Sequence, residues 1–334
     1  MSEVIFSKAS GVNDSFFGKS QEPIKAFLEK HVEEFEKNSM LKKIFVTEKS
    51  KNFAEKFTYK TKLGNFMDVG ENGTYPRSIV QECYAKVLEP HEWKNQFAVT
   101  QTMLEDSQLF DLRGEMLGFS DGYNRTKELF GAALLSGATA AKVNFAGKEY
   151  DTTSADGAAL FSAAHTSVTG GYGNQSNLFK GEFSYDTLCA MEEAMQDFRD
   201  DDGNLVNVCP DTIIIPNDHK LRKAVFDAIG AEGMPGTANN SFNYQYGRWN
   251  VIIWPYLSKM EGGAQVYMMD SRFNENYRGL IWLDRLPLSV HSWVDENTDA
   301  NIFNGRARFT AGFNNWRAIA CLAPGMSGGT ALGV

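Results

Sequence analysis

The stretch from Asp106 to Ser136 constrains this chain more than any other. Leu109, Leu112, Met116, Phe119, Tyr123, Phe130 and Leu134 recur there at spacings of three and four, with one gap. That period predicts an amphipathic helix, with Asp106 or Ser107 able to cap its start. About 30 residues at roughly 1.5 Å each make a rod of about 45 Å, long for a helix of an ordinary domain. Gly114, Gly118 and Gly122 sit four apart inside it. Each costs about 1 kcal/mol against alanine in a helix interior. Three on one face predict either the close approach of another backbone or a helix built to bend.

Ahead of this rod, residues 53–104 are rich in β-branched and aromatic residues, with turn signals at Gly64, Glu71-Asn72-Gly73 and Pro76. Trp93, Phe97, Val99 and Met103 share one side of a strand-like run. The pattern predicts long strands and a polar, glycine-rich tip at Gly70 to Pro76. Such a tip has little core of its own, and an isolated two-stranded hairpin is marginal in water. The expectation is therefore a projecting hairpin that finds a partner surface. Gly70, Glu71, Asn72, Gly73 and Tyr75 at the tip, with Trp93 and Phe97, are the candidates for contact with a neighbouring subunit.

Residues 1–20 are polar and read as an extended or mobile arm. Ile24, Phe27, Leu28, Val32 and Phe35 then recur at helical spacing, behind Ser20 as a cap and Pro23 in the first turn. His31 lies near that stripe as a packed or surface residue. Beyond Gly137 the chain is irregular to about residue 183. FSYDTLCAMEEAMQDFRDDDGN reads as a helix with an Asp/Gly stop, and PDTIIIPNDHKLRKAVFDAIG as a buried strand, a turn and a helix. GMPGTANNSFNYQYG reads as a turn-rich loop. GRWNVIIWPYL, AQVYMMDS and GLIWLDRLPLSVHSWV read as strands, and NGRARFTAGFNNWRAIACLAP as a final long strand or hairpin. This order gives an α+β class, without regular βαβ alternation.

The chemistry-bearing residues form no recognised constellation. His165, in LFSAAHTSVTGGYGNQSNLF, is flanked by Ser162, Thr166 and Ser167, but no nucleophile elbow, phosphate-binding glycine loop or HExxH accompanies it. Its expected role is to hold a loop by hydrogen bonds, and a hydrolase or metal enzyme built on His165 is the weaker alternative. Cys83, Cys189, Cys209 and Cys321 are scattered without a CxxC pair, which argues against a disulfide framework or zinc site. No cofactor is implied. The net charge is −9, whereas a protein gripping nucleic acid along its length shows a basic stripe. Lys42, Lys43, Lys49 and Lys51 could touch phosphate, but a solvated face is the simpler reading. No run of 18 apolar residues suggests a membrane span, and the first 20 residues lack a basic segment leading into an apolar one.

Several collinear stretches carry a resemblance: FMDVGENGTYP, HEWKNQFAVTQTMLED, NRTKELFGAALLSGA, DTTSADGAALFSAAHTS with QSNLF, PDTIIIPNDHKLRKAVFDAIGA, ANNSFNYQYGRWNVIIWPYL and DENTDANIFNGRARFTAGFNNWR. Together, over roughly residues 55–320, they resemble the major capsid proteins of tailed bacteriophages. The likeness is to those of phages and prophages of low-GC Gram-positive bacteria, and more distantly to the major head subunit of Mu-like phages.

The resemblance implies the Hong Kong 97-type fold. On it, residues 1–52 are an N-terminal arm and 53–104 an extended loop reaching over a neighbour. Residues 105–183 hold the spine helix and peripheral domain, and 184–298 the axial domain. Residues 299–334 are a return strand of the peripheral domain and a tail. The implied function is structural. Copies assemble into pentamers and hexamers of an icosahedral shell enclosing DNA, with portal and scaffolding or decoration proteins as partners. The implied place is the virion capsid, after assembly in the bacterial cytoplasm. The family's shells expand from a rounder precursor in which the spine helix is bent, and Gly114, Gly118 and Gly122 would ease that bend. About 50 residues precede the hairpin, so a separate scaffolding protein, or none, is expected. An encapsulin, a shell of the same fold that packs enzymes, is the main rival.

Overall fold

The structure, a computed structural model, describes residues 5–6, 27–28, 30–60, 64–71, 73–77, 82–100, 102, 109–232, 242–260, 264–326 and 328–332. Strand β1 (Ile5–Phe6) is followed by helix α1, helical at 27–28 and 30–38, then α2 (Leu41–Ile44) and β2 (Val46–Lys49). Next come β3 (Glu55–Lys60), β4 (Glu82–Leu88), β5 (His91–Val99), α3 (Leu109–Ser136), β6 (Lys142–Phe145), β7 (Lys148–Asp151) and β8 (Leu178–Lys180). Helix α4 (Tyr185–Gln196), β9 (Thr212–Pro216), α5 (His219–Ile229), β10 (Asn250–Trp254), β11 (Val266–Met269) and α6 (Ser271–Tyr277) follow. Strands β12 (Leu280–Asp295), β13 (Ala300–Phe313), β14 (Ile319–Ala323) and β15 (Thr330–Ala331) close the chain. The class is α+β. The chain divides into two compact units.

The first unit draws on Met1–Glu55, Leu88–Gly131 and Trp282–Ala311. Its sheet runs β1-β12-β13-β5, with β2 also on β12. Trp93, Phe97 and Val99 are the covered residues of β5, and in the antiparallel ladder Phe97 lies opposite Phe303 and Trp93 opposite Ala307. Phe97 stacks on Phe303 at 4.8 Å and tilts against Phe119 of α3 at 5.0 Å. Trp93 stacks on Phe309 at 5.0 Å and meets Phe130 of α3 edge-on at 5.2 Å. Leu28 and Val32 of α1 join Val99, Met116, Phe119, Leu288, Val290 and Phe303 in one buried cluster. Each such side chain contributes about 1.5–3 kcal/mol on burial. Helix α3 rests closely on the sheet at Gly305 of β13, where an added Cβ would stand 2.2 Å from Phe119 Cζ.

The projecting hairpin is therefore shorter than the sequence suggests. His91–Val99 pairs with β13 because its aromatic face has a helix to cover. The expected cap of α3 at Asp106 or Ser107, Met103, and most of the arm at residues 1–20 lie outside the described residues. Of the arm, Ile5 and Phe6 pair in parallel with Ser289 and Val290. His31 is half-buried, its Nε2 2.9 Å from Asp121 Oδ1, tying α1 to α3.

The second unit draws on Lys56–Val87, Ala132–Ile281 and Gly312–Val334. Its mixed sheet runs β10-β9-β11-β14-β8-β15. Strands β9, β11 and β14 are buried at every position, as their continuous apolar runs require. Helix α4 opens on a capping box in which Ser184 and Thr187 satisfy each other's backbone. Asp218 caps α5 through the amides of Lys220 and Leu221. Helix α6 was not anticipated: SRFNENY has no apolar period, and the Asp270 cap on the Phe273 amide holds it. The stretch 299–334 parts between sheets, since β13 pairs with β5 whereas β14 pairs with β11 and β8. The reversal follows the turn at Asn314 and Asn315, both buried.

Candidate contact surfaces

Strands β3 and β4 form a two-stranded ribbon in the second unit, and its root is firmly held. Lys86, buried in β4, donates to Asp151 Oδ2 at 2.7 Å, Thr153 O at 2.6 Å and Thr153 Oγ1 at 2.9 Å. That satisfies all three ammonium protons. Burial pushes the Asp151 carboxyl up, but the Lys86 and Thr153 hydrogen bonds outweigh it and hold it below the usual range. Arg317 donates to Tyr172 Oη at 2.8 Å, Tyr59 Oη at 3.4 Å and the Arg199 carbonyl at 2.9 Å. Tyr84 donates to the Thr166 carbonyl at 3.4 Å. Burial raises the Tyr59 phenol well above its ordinary value and pushes Tyr172 up to about 12, so both stay protonated.

The tip is the opposite. Phe66 and Tyr75 have relative exposures of 104% and 97%, and Met67 and Val69 are also exposed. Gly70, Glu71 and Gly73 are exposed as well, and Asn72 lies outside the described residues. The Gly70 amide donates to Asp68 Oδ1, and its φ of 65° is the left-handed turn conformation that glycine takes without strain. Asn65 Nδ2 donates to Asn204 Oδ1 at 3.1 Å. Sequence reasoning found the tip from its glycines and passed over Phe66 and Met67. Their signal was adjacent apolar residues beside a turn that has no core.

Trp93 and Phe97 are placed differently from the tip residues. Their rings belong to the aromatic core of the first unit, where Trp93 Nε1 also donates to the Phe309 carbonyl at 3.2 Å. Packing within the chain accounts for both rings, whereas the tip residues have no such packing.

The glycine ladder of α3 faces open space. A Cβ on Gly114 or Gly118 would meet nothing within 4 Å, and one on Gly122 would meet only Asn95 Nδ2 at 3.9 Å. No backbone of the chain's described residues approaches them. On the opposite stripe, Met116, Phe119, Phe130 and Leu134 are buried and Tyr123 is half-buried.

His165 is fully buried. Its Nδ1 lies 2.6 Å from Asp156 Oδ2 and its Nε2 3.1 Å from Asn177 Oδ1, while its backbone exchanges two hydrogen bonds with Gln175. Both ring nitrogens are thus engaged and screened from solvent, which is the arrangement of a loop clamp. Lys42, Lys43, Lys49 and Lys51 are exposed, and Lys42 pairs with Glu36 at 2.7 Å. Among the described residues no group of three or more His, Cys, Asp or Glu could hold a metal ion, and no helix is long and apolar enough to cross a membrane.

No protein-family model and no curated protein sequence matches the chain. Solved structures do match its fold. A chain of Mycobacterium phage Patience aligns with a TM-score of 0.51 at 11% identity, over 98% of this chain and 94% of that one. The capsid of Myoviridae phage XM1 aligns at 0.50 and 13% identity, over 85% and 91%. The capsid of the empty GTA particle aligns at 0.50 and 14% identity, over 86% and 89%. At such identities the likeness is one of fold. The chain shares the α+β, Hong Kong 97-type fold of these capsid structures.

Proposed function

We propose that this chain is the major capsid protein of a tailed bacteriophage or prophage. Copies assemble into pentamers and hexamers of an icosahedral head shell that encloses DNA. The observation that carries the reading is the hairpin: a root fixed by Lys86 and Arg317, and a tip that leaves Phe66 and Tyr75 in water. A side chain of that size forfeits about 1.5–3 kcal/mol by staying exposed. An anchored ribbon and, beyond it, exposed apolar residues fit a subunit whose burial is completed by its neighbour. The shared fold supports the same reading, as does the net charge of −9, which lets packed DNA slide along the wall.

On this reading the arm at residues 1–52 and the hairpin make contacts between subunits, and α3 is the spine along which the shell changes shape. Portal and scaffolding or decoration proteins complete the particle, which is built in the host cytoplasm. The test is a Phe66→Ser/Tyr75→Ser chain. Subunit stability should stay within about 0.5 kcal/mol, as for other surface changes, while assembly is lost. Assembly at the wild-type level would overturn the reading of the tip.

A further inference from the structure

The segment before β10 is built inside out. In Phe242-Asn243-Tyr244-Gln245-Tyr246 the polar residues are buried and the aromatic ones face solvent. Asn243 and Gln245 are fully buried, whereas Phe242, Tyr244 and Tyr246 are 77%, 50% and 46% exposed. Hydrogen bonds enforce this register. Asn243 Nδ2 donates to the Ala228 and Ala231 carbonyls at 2.7 and 3.0 Å, closing the C-terminal end of α5. Gln245 Nε2 donates to Glu192 of α4 at 2.6 Å, and Gln245 Oε1 accepts from Trp249 Nε1 at 2.8 Å. A slip of one residue would break all of these bonds and turn the amides outward. The aromatic strip is therefore held in water by design of its neighbours, and contiguous exposed apolar residues of this kind mark a contact surface.

The two helices that pin the strip carry opposite charge. Helix α5 exposes Lys220, Arg222 and Lys223 against a single exposed acid, Asp227, and α4 exposes Asp186 and Glu193. Tyr244 meets the Tyr185 ring at the start of α4, centroids 6.2 Å apart, and Asn243 joins the strip to the C-terminal end of α5.

We propose that Phe242, Tyr244 and Tyr246 form the apolar centre of a head-to-tail contact between copies of this chain, in which the basic α5 of one copy meets the acidic α4 of the next. This rests on the shell reading and names a surface distinct from the hairpin tip. The occupant is a second copy because the chain carries both halves of the complementary charge. Two different patches make the contact heterologous, and a heterologous contact that closes builds a ring. An aromatic centre with a charged rim is the ordinary anatomy of such an interface, the charges setting orientation.

The experiment compares assembly by size-exclusion chromatography and negative-stain microscopy. The chains are wild type, Phe242→Ser/Tyr244→Ser/Tyr246→Ser, Phe242→Ser alone, a basic-side reversal (K220E/R222E/K223E), an acidic-side reversal (D186K/E193K), and both reversals combined. Circular dichroism melting confirms that each is folded. The triple-serine chain and each single-sided reversal should lose at least tenfold in assembled fraction, with Phe242→Ser lowering it in the same direction. The doubly reversed chain should recover most of it. Assembly of the folded serine variants at the wild-type level, or no recovery on combining the reversals, overturns the proposal while leaving the shell reading intact. A wild-type chain that never assembles removes both, and is seen before any variant is made.

Discussion

The imidazole of His165 lies flat on the indole of Trp316, ring centroids 4.2 Å apart and planes 7° from parallel. Asp156 Oδ2 stands at its Nδ1 and Asn177 Oδ1 at its Nε2. Asn177 turns its Oδ1 toward the ring because its Nδ2 is engaged by the carbonyls of Leu160 and Ile319, at 2.7 and 3.0 Å. One side chain thus joins the 156–177 loop to the start of β14. His165→Ala would leave a cavity against Trp316 and take the partner from Asp156 Oδ2. The expected loss is about 3–5 kcal/mol, as for other broken buried pairs, read by urea unfolding. A loss under about 1 kcal/mol would show that the clamp is not structural.

Asp156 makes that stability depend on pH. Burial pushes its carboxyl up, but the hydrogen bond and charge of His165, with the Ser154 hydroxyl and the Ala158 amide, outweigh burial and hold it below its usual value. A depressed folded pKa contributes stability above the unfolded value of about 3.9, and that contribution is lost as pH falls through the folded pKa. Asp156→Asn should therefore be clearly less stable than wild type near pH 6, and the gap should narrow below about pH 4. Urea midpoints at the two pH values measure this. A gap independent of pH would refute the assignment.

Gly305→Ala should destabilise the first unit by about 1–3 kcal/mol, because the new methyl group meets the Phe119 ring and overpacks the sheet against α3. Combining it with Phe119→Leu should recover part of the loss, since the clash disappears. Thermal unfolding of the two variants decides. A Gly305→Ala chain as stable as wild type would mean that α3 does not rest on β13 as described.

Gly114→Ala and Gly118→Ala should do the reverse. Both positions face open space, so each change should stabilise the subunit by up to about 1 kcal/mol through helix propensity alone. If the glycines serve the bending of α3, the triple change Gly114→Ala/Gly118→Ala/Gly122→Ala should assemble yet fail to expand from the precursor shell. Particle diameters by electron microscopy report it. Normal expansion would leave the glycines without that role.

Much of this fold was legible where one local period decides the outcome. The stripe of α3 placed Met116, Phe119, Phe130 and Leu134 in the core, and the all-apolar Ile213-Ile214-Ile215 run marked a buried strand. Pairing was not legible. Alternation told which residues of β5 share a face, but the neighbour, β13, lies some 200 residues away. The root of the hairpin escaped for the same reason: Arg317, Tyr59 and Tyr172 are separated by 258 and 145 positions and carry no local signal. The strip at Phe242 to Tyr246 read as a loop. Its inverted burial depends on partners for Asn243 and Gln245 that only the fold supplies.

The measurement that bears most directly on the central claim is negative-stain electron microscopy of the chain expressed alone in bacteria, alongside size-exclusion chromatography over a range of concentrations. Closed shells, tubes or ring-shaped capsomers are the predicted result. A folded, discrete monomer or dimer at every concentration, unchanged on adding the rest of its own assembly machinery, would contradict the account.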